Sequence, residues 1–346
     1  MGDPLARPPS RRRGARSLLR FAAGRLAAAA PVVLGVLLLT FVLVETAPGE
    51  PFDLLIGDRP IPPEVRDRLV AAYGLDRPPA ERFVRWIGAL ALHGELGWSL
   101  SRGRPVADTI AAALPATLVL STAALLVHLV AGIGIGVASG RWRGGWPDRA
   151  MTGSALVLYS MPAFWLGLMA ILGLSYGLRL FPPAATHSVG AEAWSVPLRL
   201  LDRLWHLALP ALVLGLASAA ALGRFVRAGM LRALDDDFVR AARARGAGGG
   251  RVLWLHALRS SLLPVVTLMG LALPVLVSGS LVVEVVFGWP GMGRLAYEAI
   301  LARDVPVVLA TTLLSTLLVV AGNLLADVAV ALVDPRIGAG SGGPGR

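Results

Sequence analysis

The imidazole of His128, the carboxylates of Glu284 and Asp327 and the carboxamide of Asn323 fall inside long apolar stretches of this sequence. Such groups are costly at membrane depth, and where they occur they either serve a polar path for a solute or ion or bond to a neighbouring helix. Asn323 and Asp327 are four residues apart, which places them on one face of a helix. Glu284 is followed by Gly288, Pro290, Gly291 and Gly293, the residue types of a re-entrant turn that a carboxylate can brace. For all four, both readings stand: a translocation path or gate, and structural hydrogen bonding. Imidazole suits nickel, but His128 has no ligand neighbours, and His93, His187, His206 and His256 form no cluster, so no metal site is expected.

Two absences narrow the chemistry. There is no cysteine, which excludes disulfides, thiolate metal sites and thiol nucleophiles. There is also no lysine, since all 33 basic residues are arginine. A GxxxxGK[ST] phosphate loop needs its lysine, so any ATP would be hydrolysed on another chain. No HExxH or GxSxG occurs either, nor a carboxylate pair at a plausible site. The expectation is a non-enzyme that binds no cofactor itself.

The elements that position these groups follow from the apolar runs. The chain is 55% hydrophobic and 16% charged, too few charges to cover a water-soluble surface of this size. A membrane helix needs about 20 apolar residues to cross about 30 Å of hydrocarbon. Six stretches qualify: Leu26–Val44, Ala116–Ala138, Met151–Gly177, Leu207–Gly223, Leu262–Phe287 and Val307–Val333. The first is longer than a signal-peptide core and lacks a good cleavage site after it, so it reads as a retained span. Pro162 and Pro274 permit kinks within spans, as hinges or as fixed bends. Gly132, Gly134 and Gly136 suggest a smooth face for close helix packing.

The loops set the orientation. Twenty arginines fall on one side of the membrane against thirteen on the other, so the first side is cytoplasmic, with both termini inside. This bias accounts for the formal charge of +11 without invoking nucleic acid. The fold class is therefore an all-α polytopic membrane protein of about six transmembrane helices in the cell membrane. Its parts are a basic cytoplasmic segment (1–25), a first span (26–45), a small extracytoplasmic subdomain (46–115), a five-helix core (116–334) and a tail (335–346). In the external region, helical patterns run from Pro62 through Tyr73 and from Ala80 to Leu92. Both chain ends are rich in Arg, Pro, Gly and Ser and read as disordered.

Within the cytoplasmic loop 224–261, Asp235-Asp236-Asp237-Phe238-Val239-Arg240-Ala241-Ala242-Arg243-Ala244-Arg245-Gly246 has the charge order of a short helix. Aspartates favour its N-terminus and arginines its C-terminus, and Gly246 can end it in a left-handed conformation. Phe238, Ala241, Ala242 and Arg245 share a stripe on which small residues admit another backbone. The two readings are a docking helix that transmits a partner's movement and a solvated basic loop.

From about Leu18 to Ile337, the chain resembles the inner-membrane permeases of dipeptide, oligopeptide and nickel ABC importers. The loop resembles that family's "EAA" loop through Ala241, Ala242 and Gly246, although Arg240 stands where the family has glutamate and Gly248-Gly249-Gly250 departs from its helix formers. The run His256–Pro264 is similar to the family's entry into the fifth span. Short matches in the family's order include Ala47–Pro51, Tyr73–Pro78, Gly94–Ser99, Leu114–Thr117, Ser160–Gly167, Phe287–Gly293 and Asp334–Ile337. The resemblance implies a permease for peptides or a related small solute such as a nickel chelate. It assigns ATPase coupling to Asp237, Phe238, Arg240, Ala241, Ala242, Arg245 and Gly246. The partners it implies are a second, homologous permease, two ATPase subunits carrying ATP and Mg, and an extracytoplasmic substrate-binding protein. The alternative class is a secondary transporter driven by an ion gradient, which calls for internal repeats and midplane charges. No repeat is evident, and only His128 lies near a midplane.

Overall fold

The computed structural model describes residues 11–47, 76–261 and 280–333, with a few single positions between 64 and 74. The first external helix expected through Tyr73, the body of the fifth span (262–279), the first ten residues and the tail from Asp334 lie outside the described residues.

The elements are nearly all helical: α1 (Arg11–Thr46), α2 (Pro79–His93), a two-stranded hairpin β1 (Trp98–Ser99) and β2 (Arg104–Pro105), α3 (Val106–Arg141) and α4 (Trp146–Ser160). There follow α5 (Ala163–Gly177), α6 (Val196–Leu234), α7 (Asp237–Ala244), α8 (249–261), the helix end 280–286, α9 (Met292–Leu301) and α10 (Val305–Val333). α5 closes, and α8 continues, as a π-helix, over Ile171–Gly177 and Val252–Ala257.

Four of these helices are long and apolar enough to cross a bilayer, within α1, α3, α6 and α10. The third expected span is not one helix. It breaks at Met161-Pro162 into α4 and α5, which meet at 109°. Met161 is extended (φ −88°, ψ 136°), because a residue before proline is pushed out of the helical region by the ring. The second and fourth spans are longer than their apolar runs. They hold 36 and 39 residues, about 54 and 58 Å of helix, so polar ends extend well past the hydrocarbon.

α3 and α6 lie parallel and form the central contact. Small residues on each receive large ones from the other. A Cβ on Gly132 would sit 2.7 Å from Leu222, and one on Gly140 would sit 2.9 Å from Met230; one on Gly136 would overlap Val226. In return, Gly215 faces Val127, and Gly223 faces Ile135. Each pair lies about 90 positions apart, as a parallel pair in constant register requires. The smooth face is thus Gly132, Gly136 and Gly140, one helical turn apart. Gly134, two residues from Gly132, faces away and meets nothing.

α1 and α10 pair antiparallel. Arg25 and Asp327 bond at one end (3.2 Å), and Arg303 donates to the Ala47 carbonyl at the other (3.1 Å). α2 is built on that second end. Phe83 packs with Leu37, Phe41 and Leu309, and Arg82 pairs with Glu45 at 2.7 Å. The hairpin is latched beside it by Asp304, which is fully buried. Its Oδ2 accepts from Ser99 Oγ (2.6 Å), Ser101 Oγ (2.7 Å) and Ser101 N (3.0 Å).

Candidate functional site

The short helix of the arginine-rich loop forms over Asp237–Ala244. Asp236 precedes it in extended conformation, and Asp237 occupies its first turn, where a carboxylate meets the positive end of the helix dipole. Arg240 pairs with Asp237 one turn away. Gly246 ends the helix with φ +85°. Gly246 N donates to Arg243 O (2.9 Å) and Ala247 N to Ala242 O (3.1 Å), the paired bonds of a Schellman stop.

Two residues hold this helix to the rest of the chain. Val239 and Ala242 are buried, against the 252–257 segment and the end of α6. Ala242 therefore leaves the outward stripe proposed from spacing. It turns inward with Val239, three residues before it, while Phe238, Ala241 and Arg245 remain exposed. An open groove of about 390 Å³ runs beside Phe238, lined by Leu255, His256, Arg259 and Ser260. Gly248 caps α8, and Gly249 and Gly250 lie in its first turn, so the three glycines begin a helix.

Next to this loop lies a clamp that the sequence reading missed. Asp148, 4% exposed, accepts Arg227 Nε (2.8 Å) and Nη2 (2.7 Å) in a bidentate pair, and Gly144 N at 2.9 Å. The available signal was Gly145-Trp146-Pro147-Asp148, a helix start with proline and an acid in its first turn. Nothing local in the sequence pointed to Arg227.

The four intramembrane candidates do not meet. Glu284 is fully buried at the end of α6 and α3 opposite α7. Its Oε1 accepts from Thr117 Oγ1 (2.7 Å), and its Oε2 from Gly293 N (2.7 Å) and Arg294 N (3.1 Å). Thr117 Oγ1 in turn accepts from Met292 N at 2.7 Å. Together the two side chains take the first three amides of α9, donors that the helix itself cannot satisfy. His128 Nδ1 lies 2.9 Å from Ser218 Oγ in the buried α3–α6 contact. Asn323 is exposed on α10, and Asp327 on the same helix pairs with Arg25.

Residues 132–339, which hold the clamp, the short helix and Glu284, match the family described as the binding-protein-dependent transport system inner membrane component. The chain belongs to this family. As such a component it is a membrane-embedded permease in a transport system, and not an enzyme. It is similar to the oligopeptide transport system permease protein AppB of Bacillus subtilis, 40% identical over 308 residues, covering 89% of this chain and 95% of AppB. It is 36% identical over 336 residues to the dipeptide transport system permease protein DppB of Escherichia coli, covering 92% and 99% of the two chains. The di/tripeptide permease DppB of Pseudomonas aeruginosa is 36% identical over 333 residues, with the same coverage. The inner membrane component thus matches these relatives nearly end to end, which accounts for the ordered motifs outside the 132–339 match as well.

Proposed function

We propose that this chain is one permease of an ATP-binding-cassette importer for peptides or a chemically related small solute. It works with a second, homologous permease, two separate ATPase subunits that bind ATP and Mg, and an extracytoplasmic binding protein that delivers the solute. The relatives named for oligopeptides and dipeptides support the substrate class. The lysine-free sequence supports hydrolysis on other chains, since the usual phosphate loop needs lysine. The arginine-rich face is the cytoplasmic one.

The observation that carries the coupling role is the division of labour in α7. Val239 and Ala242 fix it to the chain, while Phe238, Ala241 and Arg245 are left outward. A helix held on one side and bare on the other, with an alanine between a phenylalanine and an arginine, suits a cleft on a moving partner. ATP-driven closure of the ATPase pair then moves α7, and the spans switch access between the two sides. Glu284, His128 and Asp327 serve structural bonds in this reading, and Asn323 is the one of the four left open to a path or to the second permease.

The test is co-purification in mild detergent from the native membrane, with residues 235–246 intact or replaced by a Gly/Ser linker. An ATPase subunit that accompanies the intact chain and is lost with the linker upholds the reading. An intact, folded chain that brings down no ATPase in several detergents refutes it and moves the ion-gradient alternative forward.

A further inference from the structure

The end of α6 leads directly into the short helix α7, and the first turn of α4 is fastened to that same end. Asp148, buried, and Arg227, a third exposed, form the bidentate pair described above. Eleven residues past Asp148, Tyr159 lies under the Arg224 guanidinium, 5.5 Å from ring centroid to carbon. Arg143 reaches Asp235 at 3.3 Å, but both side chains there are more than half exposed, and an ion pair in water holds little. The stiff link is therefore Asp148–Arg227. A two-point guanidinium–carboxylate pair fixes angle as well as distance.

From that link the chain continues through α4 to the break at Met161-Pro162 and into α5. Gly167 of α5 abuts Val286 and Phe287, with its Cβ position 3.1 Å and 3.3 Å from them. Those residues adjoin Glu284 and the cap of α9 at the far end of the bundle. α4, held at both ends beside residues 224–227 of α6, and α5, joined to it by the 109° bend, thus together lead from the coupling loop to the opposite turn.

We infer that Asp148 and Arg227 are a positioning pair that makes α4 move with the coupling helix, so that α7's displacement reaches the far end through the broken third span. This rests on the importer reading above. The transport step is made by the assembled complex, and the pair acts only through α4 and α6.

The test uses the complete transporter in vesicles, with Asp148→Asn, Arg227→Gln and the double variant, reading uptake per ATP hydrolysed. The single variants are expected to assemble with the ATPase and hydrolyse ATP while that ratio falls about tenfold, in the usual range for coupling between sites. The double variant is expected to fall no further than either single one, as a shared interaction requires. Uptake and hydrolysis that decline together, in proportion to assembled complex, would mark a merely structural pair and overturn the inference, as would an unchanged ratio. Loss of the ATPase from the native chain would instead refute the importer reading.

A second measurement leaves Asp148 and Arg227 in place. This chain has no cysteine of its own, so spin labels can be placed on it at Trp146→Cys and Arg232→Cys, both exposed positions. Their separation is expected to stay constant between nucleotide-free and ATP-bound transporter. A separation that changes through the cycle shows α4 moving apart from α6 and overturns the inference.

Discussion

Thr117 and Glu284 are 167 residues apart and share a hydrogen bond of 2.7 Å. Through it, one side chain from α3 and one from the helix end 280–286 jointly cap α9. The arrangement requires bare backbone opposite the carboxylate, since a Cβ on Gly291 would overlap Glu284 and one on Gly293 would overlap Leu281. Glu284→Ala strips acceptors from Gly293 N, Arg294 N and the Thr117 hydroxyl in a buried site. With each orphaned donor costing about 1–3 kcal/mol, the detergent-purified protein should unfold at a clearly lower temperature. Thr117→Val removes only the Met292 partner and one bond to Glu284, and should cost less. Equal melting of native protein and Glu284→Ala would show that the cap holds nothing together.

The α3–α6 seam makes a sharper contrast between two neighbouring glycines. Gly136→Ile forces a side chain into Val226 and the Gly223 carbonyl, whereas Gly134→Ile points into open space. Overpacking a tight contact costs about 1–3 kcal/mol, and here the obstruction includes backbone, which cannot swing aside. Gly136→Ile is expected to lose most folded protein on thermal challenge, and Gly134→Ile to stay near native. The same result for both would mean that the seam is not the packing core.

Much of this was legible from residue types alone. The apolar runs located the four helices long enough to cross a bilayer, the charge order of Asp235–Gly246 gave a helix with the expected left-handed stop, and the glycines after Glu284 pointed to the turn it braces. What failed depends on partners far along the chain. Composition groups Gly134 with Gly132 and Gly136, because it does not reveal which face meets α6. Spacing puts Ala242 in one stripe with Phe238 and Ala241 but does not give the stripe a direction; burial of Val239 decides that. The apolar run 151–177 hid a break, since hydropathy is blind to the angle at Met161-Pro162. Arg227 looked like one of many loop arginines until Asp148, 79 residues away, was folded against it.

At the opposite end of the molecule, Glu298 makes the hairpin's anchorage sensitive to acid. Burial pushes its carboxyl up, but hydrogen bonds from Arg294 and Arg102 outweigh this and hold it below the usual glutamate range. Those bonds measure 2.7 and 2.5 Å. A depressed carboxyl stabilises the fold above its unfolded pKa, and that contribution is lost as pH falls through the folded value. With an unfolded value of about 4.3, the loss occurs below about pH 4. Glu298 is 40% exposed, so solvent screening keeps the effect small. Amide exchange at Trp98–Arg104, corrected for intrinsic rates, should rise between pH 6 and pH 3.5 more in the native chain than in Glu298→Gln. Asp304 also latches this hairpin and is present in both proteins, so the difference between them isolates Glu298. Identical pH dependence would remove Glu298 from the latch.

Two substitutions separate the shape of the coupling helix from its outward face. Gly246 has φ +85° with open space around its Cβ position, so a side chain there is strained rather than crowded. A β-branched residue in a left-handed conformation is a marked outlier, costing on the order of 1–2 kcal/mol. Gly246→Val should therefore loosen the stop made by the Gly246 N–Arg243 O and Ala247 N–Ala242 O bonds while membrane insertion and yield stay normal. ATPase retention should weaken severalfold, because a frayed helix pays an ordering cost on docking. Ala241→Arg leaves the helix former count and the Val239–Ala242 anchor intact but fills the exposed face between Phe238 and Arg245. It should abolish ATPase co-purification with no change in thermal stability. If Ala241→Arg retains the ATPase while Gly246→Val loses it, the partner contacts the stop rather than the face. If both retain it fully, α7 is not the contact at all.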